Sequence, residues 1–269
     1  METTSQGSDS KKPNLLIIGA QKSGTTWLHK ALDKSRYLSG STPKELHYFN
    51  RRVMSPISAY IENFKQLSDS AQYLYESTPN YFCMPGPADH ENIDVAARIR
   101  HALGDIPLIL MLRNPVDRYQ SAYVHHMGKG RVPRVDTITQ MHSTFGMLKL
   151  GRYASILKHY RSYFSHIHIH LYDELKANDY ALLGAILSEL GIENDVEEKE
   201  LEFTANTSSN HMKRLGLGSS PPPKLCASLR GRLLEYYYQE VVDLQLITGI
   251  DLSKWLSDSP NQASSQAND

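Results

Sequence analysis

The chain has 269 residues, 40% of them apolar, with 29 basic and 29 acidic side chains. That length buries the core of one domain without requiring a second, and zero formal net charge gives no global attraction to nucleic acid or to an acidic membrane, so any anion site must be local. Two cysteines, Cys83 and Cys226, are too few for a disulfide framework or a structural zinc site and read as thiols of a reducing compartment.

Residues 1–13 are polar and lack the apolar run of a signal peptide or membrane span. With residues 257–269 they read as disordered tails around a single domain over 14–256. The expected location is cytoplasmic, or that of a soluble piece whose anchor lies elsewhere.

The first element is the most telling. Leu15 to Ile18 is a short apolar run suited to a strand covered on both faces, and it breaks into Gly19-Ala20-Gln21-Lys22-Ser23-Gly24-Thr25-Thr26-Trp27. Gly19 and Gly24 let the backbone turn tightly toward an anion. Apolar spacing from Thr25 to Ser35 predicts a helix whose free N–H groups point back at this loop. The nucleotide-hydrolase loop G-x-x-x-x-G-K-[ST] places lysine directly after its second glycine. Here Thr25 holds that position and Lys22 comes earlier, which argues against a magnesium–nucleoside triphosphate site and for a 5′-phosphate gripped by loop amides, Gln21, Lys22, Ser23, Gly24, Thr25 and Thr26 with no metal. The dinucleotide pattern G-x-G-x-x-G is absent.

Helical patterns follow at residues 57–67 and Val95 to Leu103, then a strand at Leu108 to Leu112 that runs into Arg113-Asn114-Pro115. Asn114 reads as a cap and Pro115 as the first residue of a helix to Met127, which sets Arg113 at a strand's carboxyl end, where parallel sheets bind ligands. Ser121 lies two turns into that helix. A bidentate guanidinium and a neutral hydroxyl suit a second phosphate on the same ligand. Further helices are expected at residues 155–164, 181–190 and 225–246, and a strand at Ile167 to Tyr172, with an irregular segment from Thr204 to Lys224. Strands alternating with helices predict an α/β fold: a central parallel sheet flanked by helices.

A ligand with two separated phosphates and a leaving group between them suggests 3′-phosphoadenosine 5′-phosphosulfate, and here the chain resembles the sulfotransferases that use this donor. The Gly19–Trp27 loop resembles their 5′-phosphosulfate motif and Arg113 to Ser121 their 3′-phosphate motif. Pro43-Lys44-Glu45-Leu46-His47-Tyr48-Phe49, Tyr75-Glu76-Ser77-Thr78-Pro79-Asn80-Tyr81, Gly151-Arg152-Tyr153 and the ending Leu244 to Trp255 resemble the branch of the heparan sulfate sulfotransferases and their soluble bacterial relatives. The similarity runs from Asn14 to Trp255 and departs in having no membrane anchor and no evident C-terminal cysteine-bounded loop.

The resemblance implies a P-loop NTPase-like sulfotransferase fold and transfer of a sulfuryl group to a hydroxyl or amine of a small-molecule or glycan acceptor. No metal, nucleic acid or membrane span is called for. Glu45 is the first choice of base, His47 its competitor, and Glu76 a further candidate as base, acceptor-orienting group or partner of Lys44. Lys22 is placed against the bridging oxygen of the leaving phosphate. Trp27 either stacks on the adenine or packs in the core; Lys213 and Arg214 either close over the donor or are solvated charge. Lys44, Tyr81, His126 and Tyr153 are the acceptor-side candidates. The alternative is a P-loop nucleotide or small-molecule kinase using ATP and magnesium. His166, His168 and His170 share one face of a strand, a pattern better read as packing under a helix than as a metal site. Oligomeric state and acceptor identity are not encoded in any motif.

Overall fold

The computed structural model describes residues 12–64, 71–86, 92–203 and 221–257. In chain order the elements are β1 (Leu15–Gly19), α1 (Thr25–Leu32), β2 (Leu38–Gly40), α2 (Ile57–Ile61), β3 (Tyr73–Ser77), α3 (Val95–Leu103), β4 (Leu108–Leu112), α4 (Pro115–Gly128), β5 (Thr137–Ile138), α5 (Tyr153–Arg161), β6 (Ile167–Leu171), α6 (Tyr172–Ala177), α7 (Asp179–Glu189), β7 (Lys224–Leu225), α8 (Ala227–Thr248) and α9 (Ser253–Leu256). Short 3-10 turns follow β3 (Pro79–Tyr81) and precede α5 (Lys149–Gly151).

The main sheet is parallel, with strand order β2-β3-β1-β4-β6. Side-chain alternation divides the core between its two faces. Leu16, Ile18, Leu108, Leu110 and Leu112 pack with α3, α4, α5 and α8, while Leu15, Ile17, Ile109 and Met111 pack with α1 and α7. Apolar residues at every position of β1 and β4 are therefore required, as expected for strands covered on both sides. After β1 the chain crosses to β2 at one edge, returns inward to β3 beside β1, and then passes to β4 and β6 on the other side. That places the topological switch point at the carboxyl ends of β1 and β4. The β1–β4 register shifts between Ile17 and Gly19, re-aiming the strand as it enters the loop.

Several expectations need correction. Strands β2 and β3 carried no clear signal. The helix expected over residues 57–67 spans Ile57–Ile61, with 65–67 outside the described residues. The helix expected from Ser155 starts at Tyr153. Lys12 and Pro13, counted with the tail, are in place: Lys12 Nζ donates to Ala102 O at 3.2 Å and Pro13 is buried. Where the irregular segment was expected to give way to a helix at residue 225, Lys224–Leu225 forms β7 and pairs with β5, and the helix starts at Ala227.

Histidine alternation on β6 is as read. His168 Nδ1 and His170 Nε2 both meet Glu189 Oε2, at 2.8 and 3.2 Å. One carboxylate of α7 thus lies beside both imidazoles, the His170 contact falling outside hydrogen-bond geometry, and among the described residues no group of three His, Cys, Asp or Glu is placed to hold a metal ion.

Candidate active site

The loop between β1 and α1 is shaped by two positive-φ residues, Lys22 (φ 69°) and Gly24 (φ 94°). Glycine is required at 24 for a second reason: a Cβ there would lie 2.8 Å from Leu175 Cδ2 and 3.2 Å from Tyr172 Cδ2. Helix α1 has no side-chain cap on its first N–H groups, which leaves these donors facing the loop. Ser23 is fully buried, and its hydroxyl faces that of Tyr153 without closing a hydrogen bond of ordinary length and angle. Burial, then the nearby Arg113 charge, lower the Lys22 ammonium to about 8, against the pull of Glu45. Lys22 is thus a largely buried cation with a second cation, Arg113, beside it.

The segment expected to hold a second phosphate converges on this loop. Asn114 accepts hydrogen bonds from the Val116 and Asp117 amides, and Pro115 opens α4 as expected. Arg113 Nη1 donates to Lys22 O at 3.5 Å, its guanidinium lies 4.6 Å over the Tyr172 ring, and its own carbonyl accepts the Tyr153 hydroxyl at 3.0 Å. The fork is therefore held between the loop and the Tyr172 ring, while Tyr153 anchors the Arg113 backbone.

On the opposite lip, the segment after β2 carries Glu45 and His47. Lys44 Nζ lies 3.1 Å from Glu45 Oε1, and His47 Nε2 lies 3.4 Å from Glu45 Oε2. Asn50 Nδ2 sits 3.3 Å from His47 Nδ1. With the amide donating to Nδ1, the imidazole proton resides on Nε2 and points at Glu45, which makes the carboxylate the acceptor of the pair. Burial pushes the Glu45 carboxyl up, but the His47 hydrogen bond and the Lys44 charge outweigh it and hold Glu45 at about 2. His47 adopts φ 52°, uncommon outside glycine.

Beneath this lip lies Glu76 of β3. It is fully buried, and neither carboxyl oxygen closes a hydrogen bond of ordinary length and angle, nor does the Tyr60 hydroxyl beside it. Burial dominates and pushes the Glu76 carboxyl up to about 8, against the Tyr81 hydroxyl, the Leu46 amide, the Tyr60 hydroxyl and the Lys44 charge facing it. Tyr81 Oη in turn accepts the Tyr48 and Phe49 amides at 2.8 and 3.3 Å, tying this cluster to the segment that bears Glu45. Between its ordinary value of 4.5 and about 8, Glu76 keeps in the folded state a proton that the unfolded chain releases, so its contribution to stability falls as pH rises through that window. Glu76→Gln keeps the shape of the neutral acid and removes that slope. The variant's Tm relative to the native chain is expected to rise from pH 5 to pH 8 in thermal melts; parallel curves would contradict the assignment.

A cleft of 1160 Å³ joins these parts. Of the residues singled out from sequence, it is lined by Gln21, Lys22, Gly24, Thr25, Thr26, Trp27, Glu45, His47, Arg113, Ser121 and His126. Trp27 packs in the core, 5% exposed, and also borders the cleft. Ser23, Lys44, Glu76, Tyr81 and Tyr153 do not line it. Glu76, Tyr81 and Tyr153 are at most 1% exposed, so each acts from beneath rather than by touching an acceptor. Lys213 and Arg214 lie outside the described residues. Sequence reading missed Tyr172, Asn50, Phe145, Lys129 and Arg131. For Tyr172 a signal existed, since it directly follows β6 at a strand's carboxyl end; the others sit in loops without a motif.

Comparison with known proteins agrees with this geometry. The fold is similar to that of a sulfotransferase from Alicyclobacillus acidocaldarius, with a TM-score of 0.70 at 21% identity over 91% of this chain and 99% of that one. Heparan sulfate glucosamine 3-O-sulfotransferase 6 of Homo sapiens is 26% identical over 84% of this chain and 68% of its own length. Membrane-associated sulfotransferase kil1 of Dictyostelium discoideum is 34% identical, over 41% of this chain and 22% of its own length. No helix among the described residues is long and apolar enough to cross a membrane. A sulfotransferase domain is matched over residues 12–220, spanning the P-loop, the Glu45 segment and the Arg113–Ser121 helix, and the chain belongs to that family.

Proposed function

We propose that the protein transfers a sulfuryl group from 3′-phosphoadenosine 5′-phosphosulfate to an acceptor hydroxyl or amine, without a metal. The observation that carries this reading is the meeting of two anion-binding segments at the switch point of the sheet, with Lys22 between Arg113 and Glu45. The bound donor supplies an activated sulfuryl group whose departure leaves negative charge on its 5′-phosphate. Loop amides, that of Ser23 among them, with Thr25 and Thr26 hold that phosphate; Arg113 and Ser121 hold the 3′-phosphate. Lys22 stabilises the charge that develops at the bridging oxygen. Glu45, oriented by His47 and Lys44, takes the acceptor's proton, and the arrival of donor anions beside it raises its basicity from the low value of the free site. Glu76 and Tyr81 fix the Glu45 segment from below.

Relatives named for heparan sulfate glucosamine support a glycan acceptor by analogy. The kinase reading is disfavoured by Lys22 standing ahead of its kinase position. Thermal-shift titration separates the two: adenosine 3′,5′-bisphosphate at about 100 times its Kd is expected to stabilise the protein by about 2.7 kcal/mol, with no comparable shift from ATP and magnesium. The opposite ranking would overturn the proposal.

A further inference from the structure

The cleft does not end at Glu45. It also has an apolar lining, to which Cys83, Met84, Ile93, Val95, Leu150 and Phe145 contribute. Met84 and Phe145 are 44% and 47% exposed, two of the few large apolar side chains that remain open to solvent. Phe145 adopts φ 53°, and its ring stacks on His126 with centroids 4.8 Å apart and planes at 26°. His126 is 2% exposed, lines the cleft, and has no hydrogen-bond partner for either ring nitrogen. A buried imidazole left this way calls for a polar ligand atom.

The charge around it selects the sign of that ligand. Arg131 lies 5.6 Å over the Phe145 ring, and Lys129, Arg131 and Lys149 all face the cleft. Burial, then Arg131, Lys129, Lys22 and Arg118 in that order, lower His126 to about 4, so the imidazole is neutral and able to donate one N–H at physiological pH. Among the described cleft-lining residues the only carboxylates are Glu45 and Asp179. An apolar wall bordered by cations and a neutral donor fits a molecule that is apolar in its body and anionic at one end. A long polysulfated sugar would leave Met84, Phe145 and Leu150 against polar hydroxyls.

Building on the sulfotransferase reading, we infer that the acceptor is an amphiphilic hydroxy acid, with its apolar body on Phe145, Met84 and Leu150, its anionic group at His126, Lys129 and Arg131, and its hydroxyl at Glu45. In the transfer, the acceptor oxygen forms the new bond to sulfur as the bond from sulfur to the 5′-phosphate oxygen breaks. The acceptor proton passes to Glu45, and the electron pair of the broken bond stays with adenosine 3′,5′-bisphosphate.

The test uses the full chain and labelled donor with three acceptors: 10-hydroxydecanoate, its methyl ester, and N-sulfated heparosan. The expected order is acid over ester by at least about tenfold in kcat/KM, the loss of one charge-assisted contact, with heparosan the poorest. In Lys129→Ala/Arg131→Ala, whose replaced side chains are both exposed, the ratio of acid to ester is expected to collapse toward one. Equal use of acid and ester by the native chain, preference for heparosan, or no transfer to any of the three despite calorimetric binding of adenosine 3′,5′-bisphosphate would overturn this inference and leave the sulfotransferase reading standing. Absence of bisphosphate binding would instead remove that reading and this inference with it.

Discussion

Glu45→Ala is expected to lower sulfuryl transfer by roughly 10²–10⁴-fold, the range for loss of a positioned general base, while binding of adenosine 3′,5′-bisphosphate changes little. Both expectations follow from position. Glu45 is half-exposed on the lip of the cleft, held by Lys44 at 3.1 Å and His47 at 3.4 Å, and it acts on the loop proposed to grip the phosphates through its charge on Lys22. The pH profile separates Glu45 from its neighbour. With Glu45 held at about 2, kcat/KM has no acid limb in the ordinary working range; a limb at about pH 6–7 would instead mark an imidazole base. Full turnover by Glu45→Ala in steady-state assays would move the role to His47, and His47→Ala would then be the variant to measure.

Lys22→Ala carries the second large effect, roughly 10²–10³-fold in kcat for the loss of a preorganised charge at a developing oxyanion, with weakened donor binding in addition. Its pH signature has a definite sign. In the free protein Lys22 keeps its proton below about 8 and loses it above, so kcat/KM of the native chain falls on the alkaline side of that value. Donor phosphates favour the ammonium, which displaces the corresponding limb of kcat to higher pH. Lys22→Ala should lack this displacement. A variant with native kcat would remove Lys22 from the transition state and leave it a binding residue only.

Much of the donor half was legible in the sequence because it rests on short, contiguous signals. Leu15 to Ile18 followed by Gly19 and Gly24 specifies strand, turn and helix in order, and Asn114-Pro115 marks the second helix start by cap chemistry alone. Strand β3 was hidden because Glu76 and two tyrosines interrupt its apolar run, and only the structure shows that Glu76 is buried as a neutral acid. Strand β2, three residues long, is too short for periodicity to register. The closeness of Tyr172 to Arg113 depends on α6 beginning as soon as β6 ends, a long-range consequence of sheet order. The acceptor half was least legible for the same reason: His126, Phe145 and Arg131 meet through a loop conformation, with Phe145 at φ 53°, that no spacing announces.

The central claim is that Lys22 and Arg113 serve the two phosphates of one nucleotide. It is tested most directly by calorimetric titration of adenosine 3′,5′-bisphosphate and adenosine 5′-monophosphate into the native chain and into Arg113→Ala. The bisphosphate is expected to bind the native chain at least about tenfold more tightly, about 1.4 kcal/mol for the guanidinium–phosphate contact, and Arg113→Ala is expected to bring the two nucleotides close to equal. Equal affinities in the native chain, or a bisphosphate advantage undiminished by Arg113→Ala, would contradict the two-phosphate site.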